Sequence, residues 1–207
     1  MRRFLAPFAL LLVVACASAP VDYKEDRRVV GTENGVRLDA MILGDQLTTQ
    51  NSIPFTYDVT NQRANPIAIA DLIPATEYDA ESRTVTVNLG SEVPGEKLVP
   101  RLIAIAPGEK KSFTGTIRVQ VLPDSPGNNR AIASPPTVQL KLNFLGDVQP
   151  FAQLVGIQQN AVHDPALADK LFPLWLERNE VILSSTVPMR WKPPVDSDVS
   201  AASPRKR

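Results

Sequence analysis

A hydrophobic period of two, repeated along most of the chain, is the strongest constraint on its fold. Val36, Leu38, Ala40 and Ile42 alternate with Arg37, Asp39 and Met41; Ile53, Phe55, Tyr57 and Val59 alternate with Pro54, Thr56, Asp58 and Thr60. Val85, Val87 and Leu89 alternate with Thr84, Thr86 and Asn88, and Val138, Leu140, Leu142 and Phe144 with Gln139, Lys141 and Asn143. Phe113, Ile117, Val119 and Val121 continue the pattern against Thr114, Thr116, Arg118 and Gln120. Successive side chains of a strand point to opposite faces, so each run has one buried and one wetted face. With the apolar runs Ile67–Ile73, around Tyr78, and Leu98–Ile105, this gives about eight short strands, the spacing of a sandwich or barrel.

Nineteen prolines against ten glycines support the same class, because proline is excluded from helix interiors and central strands. Pro54 places its strand at an edge or at an irregular start. Asn61–Pro66 and Asp79–Ser82 read as turns, Gly90–Gly95 breaks the chain, and Pro123–Pro136 reads as a long loop. Ala106-Pro107-Gly108-Glu109 fits a type II turn, with Pro107 presetting φ and Gly108 taking the positive value.

The period changes after Gly146. Asp164-Pro165 is a helix start, a capping side chain followed by proline in the first turn. Leu167, Leu171 and Leu174 would share one face, and Pro173 predicts two short helices or one kinked helix within about residues 150–180. Val181–Val187 is expected to return to the sheet. Pro193–Arg207, rich in Pro, Ser, Asp and Ala, reads as a disordered tail. The expected organisation is one mostly β domain over residues 31–191, an antiparallel sandwich with a short helical C-terminal addition, then a tail over 192–207.

Tyr57-Asp58-Val59-Thr60-Asn61, Pro66-Ile67 and Ala106-Pro107-Gly108-Glu109-Lys110-Lys111-Ser112-Phe113 resemble the bacterial immunoglobulin-like module. In that module an Asn ends an early strand and a Pro-Gly-Glu turn introduces a late one. The resemblance spans Val36–Val121; it implies an immunoglobulin-like sandwich and no activity of its own.

The N-terminus reads as an export leader. Arg2 and Arg3 precede an apolar stretch, Phe4–Val14, broken only by Pro7. A permanent span needs about 20 apolar residues, so this stretch suits a secretory leader instead. Two cleavage sites compete. Ala17-Ser18-Ala19 satisfies the small-x-small rule, but cleavage there would leave Pro20 first. Val13-Val14-Ala15-Cys16 resembles the bacterial lipobox. That resemblance implies cleavage before Cys16, a diacylglycerol on its thiol and acylation of the new amine, with residues 1–15 as leader and 16–30 as a lipid-anchored tether. Cys16 is the chain's single cysteine. Ala17, rather than Asp, follows it, which by the same resemblance implies the outer membrane, facing the periplasm.

The chain has 22 basic and 22 acidic residues, and removal of Arg2 and Arg3 with the leader would leave 20 against 22. Such a balance gives no phosphate-binding surface for nucleic acid. His163 is the single histidine, with Asp164 beside it to orient it or to cap a helix; no Gly-x-Ser-x-Gly elbow accompanies it. Zinc would want several Cys or His ligands. Asp71, Asp79 and Glu81 could offer carboxylates to calcium, but they read first as turn residues. No phosphate loop or dinucleotide fingerprint is present, and no cofactor is expected. Phe172, Trp175 and Trp191 could anchor an interface or close one end of the sandwich, and the second is expected. The expected function is that of a non-catalytic, lipid-anchored envelope accessory or binding protein whose partner is another envelope protein. The alternatives are an envelope hydrolase using surface carboxylates and a surface-displayed adhesin-like module.

Overall fold

The computed structural model describes residues 27–48, 51–71, 74–90, 98–119, 136–156 and 161–191. Cys16, the leader, the start of the tether and the expected tail lie outside these residues. The chain is mostly β, a sandwich with one short helix towards its C-terminal end. The first eight strand segments are β1 (Arg28–Glu33), β2 (Val36–Ile42), β3 (Gln46–Leu47), β4 (Ile53–Asn61), β5 (Ile67–Ala70), β6 (Ala75–Asp79), β7 (Thr84–Leu89) and β8 (Leu98–Pro100). Then come β9 (Leu102–Ile105), β10 (Lys110–Ile117), β11 (Thr137–Leu145), β12 (Ala161–His163), β13 (Asn179–Leu183), β14 (Val187–Pro188) and β15 (Arg190–Trp191). A 3-10 helix covers Gln149–Leu154, and α1 covers Pro165–Arg178.

Two sheets form the sandwich. The first has the order β1-β2-β4-β10, antiparallel throughout. The second has the order β6-β7-β11-β5-β9, with β13 and β14 on the other flank of β11. The expected antiparallel arrangement needs one correction: β7 and β11 are parallel, from Thr137↔Thr84 to Leu142↔Leu89. Alternation sets the layers. β2 is buried at Val36, Leu38, Ala40 and Ile42, and β7 at Val85, Val87 and Leu89; these side chains meet Leu140, Leu142 and Phe144 between the sheets. The Phe55 and Tyr57 rings stack at 5.6 Å, and Tyr57 and Phe113 at 4.9 Å. Gly115 leaves room for this ladder, since a Cβ there would lie 2.6 Å from the Phe55 ring. Burial, with the negative charge of Asp71 adding to it, pushes the Tyr57 hydroxyl up to about 12.

One expectation is revised and two are narrowed. The tether was drawn to residue 30, but β1 begins at Arg28 and Val29 is fully buried in the core. A two-residue turn joins β1 to β2, with Asn34 and Gly35 at φ 48 and 72, the type I′ geometry that suits strand twist. β1 also docks on the second sheet. The Ser185 amide donates to Val30 O at 2.9 Å, and a Cβ at Gly31 would lie 2.5 Å from Leu183 O, so a side chain there would force the two backbones apart. Pro54 does not mark an edge: β4 lies between β2 and β10, and Pro54 is its second residue, where its carbonyl still accepts from the Leu43 amide at 2.9 Å. Finally, α1 is a single 14-residue helix that contains Pro173. Proline deprives the carbonyl four residues back of its donor. That residue, Asp169, is exposed, as Pro173 is, so water can replace the lost bond.

The helical addition forms a second core on the outer face of the second sheet. β5 is buried on both faces: Ile67 and Ile69 point into the sandwich, while Ala68 and Ala70 point outward. Their small size lets Phe151 and Leu154 of the 3-10 helix and Ala168, Leu171 and Trp175 of α1 pack close, together with Leu102 and Leu145. Leu171 of the expected leucine stripe is buried, while Leu167 and Leu174 flank it half-buried.

Candidate functional site

The Asp164 side chain caps α1, accepting from the Leu167 amide at 2.9 Å. This is the capping role weighed for it. His163 ends β12, opposite Leu98 of β8, and is exposed. The carboxylates considered for calcium are dispersed in role. Asp71 is ion-paired with Arg101. Asp79 accepts from the Glu81 amide at 2.9 Å and the Ser82 hydroxyl at 2.6 Å, closing the β6–β7 turn, while Glu81 is exposed. Among the described residues no three His, Cys, Asp or Glu side chains gather at a metal-binding spacing. Trp175 is fully buried, its ring edge-on to Phe151 at 5.5 Å. It lies outside the second sheet, not at the end of the sandwich as expected. Phe172 is 39 % exposed and closes nothing. The Trp191 backbone pairs with Leu47 in the parallel β15–β3 contact.

Two carboxylates face each other across the first sheet, Asp39 on β2 and Asp58 on β4. A bidentate contact from Arg28, 2.7 Å at Nε, holds Asp39 down to about 2 against the burial that opposes it, and Arg37 adds to the effect from 3.0 Å. The hydroxyl of Ser112 at 2.6 Å and the ammonium of Lys110 at 3.0 Å hold Asp58 below its ordinary value. An acid–base carboxylate pair needs one member pushed up; here both are pushed down. A carboxylate lowered by folding contributes stability that is fully present above its unfolded value, near 4, and is lost as pH falls through the folded value. Arg28 is half-exposed, so screening limits the Asp39 contribution to about 1 kcal/mol. Thermal melts between pH 5 and pH 2 are expected to show falling stability. Asp39→Asn should flatten that slope; an unaltered slope in the variant would contradict the assignment.

A cavity among the described residues combines volume with convergent polar groups. An open groove of about 600 Å³ lies where three chain segments meet: Asn65 and Pro66 of the β4–β5 turn, Gly146–Gln149 and Ala152 after β11, and Arg178 at the end of α1. The wall is set locally. The Gly146 amide donates to Arg178 O at 3.0 Å, tying the strand exit to the helix end. A Cβ at 146 would collide with the Glu180 carboxylate, which reaches past it to take a bidentate contact from Arg63 at 2.7 and 3.1 Å. Asn34 Nδ2 donates to the same carboxylate at 3.0 Å, and the Arg63 guanidinium lies 5.8 Å from the centre of the Phe144 ring. Asp147 lines the groove half-buried and accepts the Gln149 amide at 3.0 Å. On the Asn65-Pro66 side, Asn61 is fully buried. Its Nδ2 donates to Ile105 O at 3.0 Å and Asn65 O at 2.9 Å, and its Oδ1 accepts from the Arg63 amide at 3.0 Å. This fixes the turn, and the expected type II turn packs on it: Gly108 has φ 73 and donates to Asn61 O at 2.7 Å.

Sequence reading gave none of the groove residues a binding role. Gly146 marked only a change of period, and Asn65-Pro66 only a turn. No protein-family model, curated protein or solved structure matches the chain.

Proposed function

We propose that the chain is a lipid-anchored accessory or binding protein of the cell envelope that acts through protein–protein contacts, held at the outer membrane on its periplasmic side. The leader and the lipobox-like Val13-Val14-Ala15-Cys16 support the anchor. Among the described residues no helix is long and apolar enough to cross a membrane; in this reading attachment rests on the N-terminal lipid. The observation that carries the binding reading is the groove of about 600 Å³, walled by the Asn65-Pro66 turn that Asn61 anchors, the segment from Gly146 to Gln149 and the end of α1. Concave sites with a few fixed polar groups are where proteins take ligands and partner segments. Phe172 and Leu176, 39 and 51 % exposed, lie one turn apart on α1, the helix whose end lines the groove.

The test is site-specific photo-crosslinking in cells that make the full chain. A crosslinker at Gln149, an exposed groove residue, is expected to trap one envelope protein. The same group at Thr114, exposed on β10, should trap none. Absence of adducts at Gln149, or the same adducts from both positions, would refute the reading.

A further inference from the structure

The strands fix which end of the domain the N-terminal chain enters, and the groove lies at the other end. Arg27 is held at the point of entry. Its carbonyl accepts from the Ile42 amide at 3.0 Å, and its guanidinium donates to Gly44 O at 2.9 Å and to Met189 Sδ at 3.3 Å. Ile42 ends β2, opposite Phe55 near the start of β4, and the Met189 amide donates to Pro136 O just ahead of β11. From this near end β4 runs nine residues to Asn61, and β11 runs nine residues to Leu145. A strand of that length spans about 27 Å. Asn65-Pro66 follows β4, Gly146–Gln149 follows β11, and Arg178 precedes β13, whose Asn179 pairs with Leu145. All three walls of the groove therefore stand at the far end.

Leu43 stands at the near end, between the two residues that Arg27 bonds. Its exposure of 57 % is the greatest of any large apolar side chain among the described residues. The chain reaches Arg27 from Cys16 in eleven residue steps, 27 less 16, which can span at most about 40 Å. With the near end on the bilayer, those steps need no extension. With the far end on it, they would have to run back along the strands, using about two-thirds of their full reach. Stretching a chain that far costs conformational entropy.

We propose that the end of the domain bearing Leu43 rests on the bilayer surface, and that the groove opens away from it, to a partner segment standing clear of the membrane. This placement rests on the lipid anchor at Cys16. One leucine is a weak hold by itself, but the anchor makes its contact with lipid an intramolecular event at high effective concentration. The groove, about 27 Å of strand further out, meets the part of an envelope protein that projects into solvent, not a part embedded in lipid.

The full chain, matured in cells, is reconstituted in vesicles of phosphatidylethanolamine and phosphatidylglycerol that carry a spin label on a fraction of the headgroups. A fluorophore is attached at Gln46→Cys, at the near end where β3 pairs with Arg190, or at Gln149→Cys, in the groove; both positions are exposed. Cys16, with its sulfur in the thioether, does not take the fluorophore. The headgroup label is expected to quench the Gln46 position severalfold more than the Gln149 position, and Leu43→Ser should weaken the quenching at Gln46. The intact mass of each chain separates two kinds of failure. A chain without acyl groups removes the anchor, and the placement with it. An acylated chain quenched equally at both positions, or more at Gln149, overturns the placement alone, as does undiminished quenching at Gln46 in Leu43→Ser. A crosslink from Gln149 that maps to a membrane-spanning stretch of the partner overturns it too, while leaving the groove as a binding site.

Discussion

The Trp175→Ala chain is expected to melt far below wild type, with about 3–5 kcal/mol of stability lost, the range for truncating a large buried aromatic. For a chain of this length that corresponds to a fall of roughly 6–20 °C. Trp175 is 1 % exposed and sits edge-on to Phe151 at the centre of the second core. Removing it leaves a void in the cluster to which Leu171, Leu154 and Ala68, all buried, belong. The surrounding wall cannot collapse easily, because Ala68 belongs to β5, which is hydrogen-bonded to β9 and β11. Calorimetry of the purified variant measures this directly. An unchanged melting temperature would mean that α1 is not held by its buried face, and would turn Trp175 into a candidate interface residue. Phe172→Ala provides the contrast: that ring is already part-exposed, so its removal should cost much less.

How far the sequence disclosed this arrangement depended on whether the signal was local. The strands with clean alternation, β2, β4, β7 and β11, were legible because a period of two and one-sided burial are the same fact. The turn after Asn61 and the turn at Pro107-Gly108 were legible from turn chemistry; the buried side-chain bonds of Asn61 were not. β1 was hidden by its charges: Arg27 and Arg28 read as linker. The signal that could have found it was Asn34-Gly35, which fits a two-residue hairpin and requires a strand on its N-terminal side. β5 gave no clear face because it has none; Ile67 and Ile69 serve one core, and Ala68 and Ala70 the other. The parallel pairing of β7 with β11 leaves no trace in either strand's composition. Pro173 argued for two short helices or one kinked helix; the chain makes one helix, with Pro173 on its exposed side, where the missing hydrogen bond costs least. The groove could not be read at all. Its walls come from residues 65–66, 146–152 and 178, and only the Gly146–Arg178 hydrogen bond and the fold around it bring them together.

Anchoring through Cys16 predicts the largest change in behaviour, although Cys16 lies outside the described residues. One acyl chain gives only marginal, reversible membrane attachment, whereas two or more hold a protein stably. A diacylglyceryl thioether supplies two, and acylation of the amine a third. The chemistry depends on sulfur: a serine hydroxyl at position 16 cannot form the thioether, and without it cleavage before residue 16 should fail. With the positive Arg2-Arg3 and the apolar stretch to Val14 unchanged, export itself should continue. The Cys16→Ser chain should therefore accumulate as unprocessed precursor or be released. The remaining chain has 20 basic against 22 acidic residues, so it carries no net positive charge to draw a released form to lipid headgroups. The most direct measurement is membrane fractionation of wild-type and Cys16→Ser chains, with the intact mass of each product. Lipid anchoring predicts nearly all wild type in the membrane fraction, beginning at an acylated Cys16, and the variant either soluble or full-length with its leader. A Cys16→Ser chain that still sediments with membranes as a normally matured species would contradict the account.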